Sequence, residues 1–377
     1  MKTAKILVLV MLLAAIVCMS VLSVYEYCTM PSEWSVYENR ALAEMPQMTA
    51  EDVLSGEAMA QTETFLSDHI FSRDRWLRLG TRLDMLLGRP VIHDVVVKGD
   101  VLLPMLNTAA QGFTVNTDGL AAVKNAVDAY GGTLLYVQIP EQRTALRDAY
   151  PKAMQPLVQQ YDEAALALRE ALEQAGVAVL DGSEYLTAED YHTTDHHYNL
   201  RGADKLYKAV CERLRQMGVE VEAEESTLRE LPNPFWGSYS RKLYGLSDVS
   251  DALLVCDATV PYVRYDNGER TDAPMMIMPQ TDTEAVFYNN YMGGDMAQTV
   301  VQTNRPELPD ALIVGDSFTN AFEALAYRSF DEMRSLDFRH YTEMTLTEYL
   351  QEYQPDVVLI MRDDISAMLT NGNGDLK

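Results

Sequence analysis

The stretch Ala311-Leu312-Ile313-Val314-Gly315-Asp316-Ser317-Phe318 decides the fold. Four consecutive apolar residues, with no polar alternation, read as a strand covered on both faces. Gly315 permits a tight turn, and Ser317 then stands where the strand gives way to a helix over 320–327. Free backbone N–H groups at such a turn suit a nucleophile whose intermediate carries a negative oxygen. An ordinary strand-to-helix turn with Ser317 as a cap has the same sequence. Asn320, one helical turn on, either adds a side-chain donor or caps the helix.

Outward from this stretch, buried strands alternate with helices. Residues 133–139, 177–180, 334–338 and 357–361 read as strands, and 118–130, 159–174, 200–217 and 346–353 as helices. That alternation predicts an α/β domain, a parallel sheet flanked by helices, over 105–218 and 301–377. Residues 219–300 interrupt it with an acidic linker and a β-rich insertion from 235. Residues 29–104 form an extended and helical entry. One helix is expected over 51–67. A second starts near Ser72, with Trp76, Leu79, Leu83 and Leu86 at helical spacing, and a hairpin follows around Gly99-Asp100.

The second chemical segment is Asp195-His196-His197-Tyr198, just before the helix that Asn199 is placed to cap. A carboxylate two residues before a histidine fixes its tautomer and steadies its charged form. His196 and His197 point to different sides, so one of them at most faces a given serine. A solvated polar loop, a capping aspartate and a metal site are the competing readings. Ligands of parallel sheets lie at the carboxyl ends of the strands, and Asp195 and Ser317 both follow such ends.

A net charge of -26 over 377 residues excludes a nucleic-acid binder, which needs clustered Lys and Arg. Residues 1–28 hold Lys2 and Lys5 ahead of an uncharged apolar run, 6–24, roughly 28 Å long as a helix. Basic residues before the run, and Glu26 and Glu33 after it, predict a single-pass membrane anchor with the remainder outside the cytoplasm. A cleaved signal peptide, giving a secreted protein, is the other reading. The cysteines, Cys18, Cys28, Cys211 and Cys256, form neither a disulfide framework nor a zinc motif.

Glu38-Asn39-Arg40-x-Leu42, Asp195-His196-His197-Tyr198, Phe235-Trp236-Gly237-Ser238, Tyr291-Met292-Gly293-Gly294, Gly315-Asp316-Ser317-Phe318, Leu336-Asp337-Phe338-Arg339 and Pro355-Asp356-Val357-Val358-Leu359 together carry a resemblance. The chain resembles the DHHW protein family, a bacterial exported group similar to the SGNH-hydrolase-like acetyltransferases of alginate O-acetylation. Tyr198 replaces the family's tryptophan. The resemblance implies an SGNH-hydrolase-like fold in which Ser317 takes an acetyl group, His197 acts as base and then acid, and Asp195 orients it. Gly315, Asp316, Asn320, His196, Tyr198 and Arg339 fall on oxyanion or supporting positions. It implies an O-acetyltransferase, or an acetylesterase if water is the acceptor, with no metal and no cofactor. The acceptor would be a cell-envelope polysaccharide or exopolysaccharide, and a membrane O-acyltransferase would supply the acetyl group. A non-catalytic carbohydrate-binding or scaffold module is the alternative, with Phe235, Trp236, Tyr239, Tyr244, Tyr262, Tyr288 and Tyr291 as its stacking surface or as plain β-core. A metal phosphoesterase built on Asp-His-His needs further aspartate motifs in an N-terminal sheet, where this chain has an anchor and helices.

Overall fold

The computed structural model describes residues 2–46, 48–108, 110, 113–364 and 366–368. Met1 of the expected anchor, 47 of the expected entry segment, and 109, 111–112, 365 and 369–377 of the expected α/β domain lie outside the described residues. The chain divides into two compact units. One runs up to Asp94 and includes Ser240–Ser247; the other comprises Val95–Tyr239 and the chain from Asp248 onward.

The first unit begins with helix α1, Lys2–Thr29, which is long and apolar enough to cross a membrane. It fits a membrane anchor or a signal sequence equally. The helix expected over 51–67 is two helices, Ala50–Ser55 and Glu57–Asp68, because Gly56 takes a left-handed φ of 83° and breaks the hydrogen-bond ladder. Helix α2, Arg73–Leu86, follows. Asp68 accepts a fork from Arg40 at 2.7 and 2.6 Å, and Arg73 pairs with Glu38 at 2.6 Å. The Glu38-Asn39-Arg40 motif thus ties the entry segment to these helices.

The second unit is built on one eight-stranded sheet. Its strands are β1 (Thr133–Ile139), β2 (Ala178–Asp181), β3 (Val263–Asp266), β4 (Glu269–Thr271), β5 (Gln298–Gln302), β6 (Ala311–Val314), β7 (Glu332–Leu336) and β8 (Val357–Asp363). They lie in the order β4-β3-β5-β7-β6-β8-β1-β2. The five from β7 to β2 are parallel, as the uninterrupted apolar runs require. The β-rich insertion does not stand apart: β5, β3 and β4 continue the same sheet as an antiparallel edge.

Residues alternate between two covered faces. Leu135, Val137, Ile313, Leu359 and Met361 pack beneath α5 (Leu200–Gln216) and α6 (Asn320–Ala326). Leu134, Tyr136, Leu312, Val314 and Ile360 pack beneath α3 (Thr117–Tyr130), α4 (Gln155–Gln174) and α7 (Leu346–Tyr353). Both faces are dry, so the site has to form at the carboxyl edge, where the strands end and polar groups reach solvent.

Candidate functional site

Gly315 at the end of β6 does something other than turn freely. Its φ is not left-handed; a Cβ there would lie 2.2 Å from Thr319 Cγ2 and 2.8 Å from the Met361 carbonyl oxygen. The position therefore requires glycine for close approach rather than for a special backbone angle. Asp316 caps the single 3-10 turn that follows, Ser317–Thr319, by accepting from Phe318 N at 2.9 Å. Ser317 is left half-buried at the start of that turn.

The second segment is a closed loop. A bridge between Tyr191 and Tyr198 shuts it, and His192 N donates to His197 O at 3.2 Å. Asn199 caps α5 as expected, accepting from Arg201 N and Gly202 N, while its amide donates to Glu189 O and Tyr191 O. Asp251 holds the loop tip, accepting from Thr193 N and from the Thr194 N and Oγ1. Gly237 passes so close that a Cβ would sit 2.2 Å from Thr194 O. That approach delivers Ser238 N to Asp195 Oδ2 at 2.6 Å. The Tyr198 hydroxyl donates to Phe318 O and ties this loop to the serine turn. The Tyr198 hydroxyl therefore has a structural role.

These two segments bring together three of the expected residues. His197 Nδ1 lies 2.6 Å from Asp195 Oδ1, and His197 Nε2 lies 2.8 Å from Ser317 Oγ. Asp195 is buried; burial alone would raise its pKa, but the charges of His197 and His196 and the His197 hydrogen bond hold it well below the usual carboxylate range. An ionised Asp195 only accepts, so the Nδ1 proton stays on His197, and Nε2 is left as the acceptor for the serine proton. Tyr288 lies flat on the His197 ring, 3.7 Å between centroids and 2° from parallel. His196, at 3.8 Å between centroids, and Phe318, at 4.7 Å, also lie against it. The imidazole thus has one orientation available to it.

The remaining candidates sit around this row. His196 does not point to a different side from His197 as expected: their ring centroids lie 3.8 Å apart, and His196 Nδ1 is 2.9 Å from Ser238 Oγ. Asn320 donates to Asp295 Oδ1 at 2.9 Å instead of reaching Ser317. Arg339 forks onto Asp337 and reaches Asp295 Oδ2 at 2.8 Å. Neither makes a hydrogen bond to Ser317 among the described residues. Asp316 is buried, with no hydrogen-bond partner for Oδ2 among the described residues; burial, and then the charge of Asp363, push its carboxyl up to about 7. Arg362 is buried on β8 with no hydrogen bond to its guanidinium among the described residues, and burial lowers its pKa.

Ligand atoms of Asp195, His196 and His197 lie within 4.8 Å of one another, as do those of Asp295, Asp337 and His340. In the first group a metal would compete with the hydrogen bonds from Ser238 N and His197 to Asp195. That donor set favours a proton relay over a metal site.

Sequence reasoning missed Asp251, Ser238 and Asp295, and placed Tyr288 among the candidate stacking aromatics. Phe235, Tyr239, Tyr244, Tyr288 and Tyr291 are buried, while Trp236 and Tyr262 are half-buried. The five buried rings are core, as the plain β-core reading has it, and cannot serve as a stacking surface. The one available signal was the run Phe235-Trp236-Gly237-Ser238, whose glycine marks the close approach.

Residues 101–251 match the model of the SGNH hydrolase-like domain of the acetyltransferase AlgX. That stretch carries Asp195 and His197 and ends before Ser317. No curated protein matches the chain. A DHHW family protein from Eubacterium siraeum DSM 15702 shares the fold, with 17% identity and a TM-score of 0.56, over 74% of this chain and 93% of that one. PatB1 from Bacillus cereus does so with 20% identity and a TM-score of 0.57, over 75% of this chain and 99% of that one. A second structure of PatB1, with a sulfonyl adduct, gives 18% identity and a TM-score of 0.56 over 75% and 100%. The SGNH-like fold and the DHHW resemblance expected from the sequence are both borne out; at these identities the structural likeness is one of fold.

Proposed function

We propose that the chain is an O-acetyltransferase that moves acetyl groups onto a cell-envelope polysaccharide or exopolysaccharide through an acetyl-Ser317 intermediate. The observation that carries this reading is the continuous row from Asp195 through His197 to Ser317, at 2.6 and 2.8 Å. The matched AlgX domain supports the acyl-transfer class.

In the first half-reaction Ser317 Oγ attacks the acetyl carbonyl carbon as its proton passes to His197 Nε2. The tetrahedral intermediate collapses, the bond to the donor oxygen breaks, and His197 returns the proton to that leaving oxygen. In the second, a sugar hydroxyl gives its proton to His197 and attacks the acetyl-serine, and Ser317 leaves with the proton restored. Water in place of the sugar makes the same site an acetylesterase. Asp195 stays ionised throughout and steadies the imidazolium. The domain works outside the cytoplasm, held by α1, and a membrane O-acyltransferase supplies the acetyl group.

The full chain should release acetate from a chromogenic acetyl ester and become labelled by a sulfonyl fluoride at Ser317, read by peptide mass mapping. PatB1 is known with a sulfonyl adduct, which makes this reagent a matched probe. Ser317→Ala should abolish both, and a chelator should change neither. Equal rates for wild type and Ser317→Ala would remove the nucleophile.

A further inference from the structure

Helix α2 in the first unit shows an apolar stripe to solvent. Trp76, Leu79, Leu83 and Leu86, with the C-capping Leu87, fall within an arc of roughly 100° at helical spacing. All five are exposed, Trp76 at 53% and Leu86 at 76%. The packed side of the helix is the other one, where Thr81 is buried and meets His93 Nε2 at 2.9 Å. Along one flank of the stripe run Arg75, Arg78 and Arg82, whose side chains make no ion pair or hydrogen bond among the described residues. From Arg73 to Arg89 there are five arginines against two aspartates, in a chain whose net charge is -26.

Where α2 begins matters as much as what it shows. Phe71 N donates to Ser23 Oγ at 2.8 Å, and Ser72 N to Glu26 Oε2 at 2.7 Å. Ser23 and Glu26 flank the end of the apolar run of α1, where that helix would leave the hydrocarbon. The Trp76 indole donates to Phe71 O at 3.1 Å, which fixes the ring beside this junction.

We propose that α2 lies in the outer surface of the bilayer that α1 spans, its leucine and tryptophan stripe sunk at the headgroup boundary and Arg75, Arg78 and Arg82 on anionic lipid phosphates. The inference rests on the reading of α1 as a retained anchor. A basic amphipathic helix with tryptophan and leucine on its apolar side has the composition of an interfacial element, and indole rings favour that boundary. A membrane-protein partner would also cover an apolar stripe. The unpaired arginines beside it, and its start at the end of α1, favour anionic lipid.

The test uses the full chain in vesicles of phosphatidylcholine with phosphatidylglycerol, with bromine on the upper acyl chains. Trp76 is kept as sole tryptophan through Trp34→Phe and Trp236→Phe. Its emission should fall by roughly half relative to unbrominated vesicles, because an interfacial helix reaches a depth of about 5–10 Å. Leu79→Glu with Leu83→Glu should remove that quenching. Should the double phenylalanine variant fail to fold, Trp76→Phe in the otherwise unchanged chain should delete the quenchable part of the emission. Alkaline extraction separates the two readings. A chain washed off the vesicles overturns the anchor and this proposal with it. A chain that stays while Trp76 is unquenched overturns this proposal alone, and leaves the stripe to a protein partner.

Discussion

In α5, Leu200, Ala203, Leu206, Val210 and Leu214 recur at helical spacing and are all buried; in α2, Trp76, Leu79, Leu83 and Leu86 recur in the same way and are all exposed. Charge is inverted as well. The second unit buries Asp316 and Arg362 near the serine turn, whereas the first leaves Arg75, Arg78 and Arg82 in solvent. The difference teaches that an apolar period establishes that a helix has a side to cover, and says nothing about what covers it. For α5 the cover is the sheet, and the helix in turn fixes the loop that carries His197. For α2 the proposed cover is lipid.

The sharpest way to break the contrast is at the loop that α5 holds. Asp195→Asn keeps the shape but replaces an ionised acceptor with an amide, so the imidazole loses its fixed tautomer. Acetyl transfer should fall about 10³–10⁴-fold in kcat/KM with circular dichroism unchanged; a loss under about tenfold would take Asp195 out of the relay. Next in size is the packing difference itself. Leu206→Ala should cost about 2–5 kcal/mol in denaturant unfolding, while Leu83→Ala in detergent should stay within about 0.5 kcal/mol. Equal costs would mean that the outer side of α2 is covered within the folded chain.

The last effect concerns the buried charge. The folded-state pKa of Asp316, about 7, lies above that of the unfolded chain, so the folded protein holds this proton more tightly. The stability that results is complete below about pH 4 and is lost as pH rises through about 7. Asp316→Asn should flatten the fall of Tm over this window, removing at most about 1.4 kcal/mol per pH unit. Superimposable wild-type and variant profiles would mean that Asp316 is ionised throughout.

Much of the second unit was legible because its signals are local. The apolar runs of β1, β6 and β8, the cap at Asn199 and the serine turn each lie within a few residues of chain. Other features depend on partners far along it. Tyr288 stacks on a histidine 91 residues away, and Asp251 grips Thr194 from 57 residues on. Strand-formers in 235–300 announced β-structure, but not that it would extend the parallel sheet as an antiparallel edge. Gly315 was recognisable as essential for the wrong reason, since the atoms it must clear belong to Thr319 and Met361.

By itself the sequence determined the parallel α/β core and the apolar N-terminal helix, because periodicity and capping are written over short spans, and it offered Ser317, Asp195 and one of the two histidines beside it as candidates. Tertiary structure alone decided that these three side chains meet in one row, that Asn320 and Arg339 turn to Asp295 instead, and that the stripe on α2 faces outward. Such outcomes depend on distances between segments far apart in the chain, and those distances exist only once the chain has closed on itself.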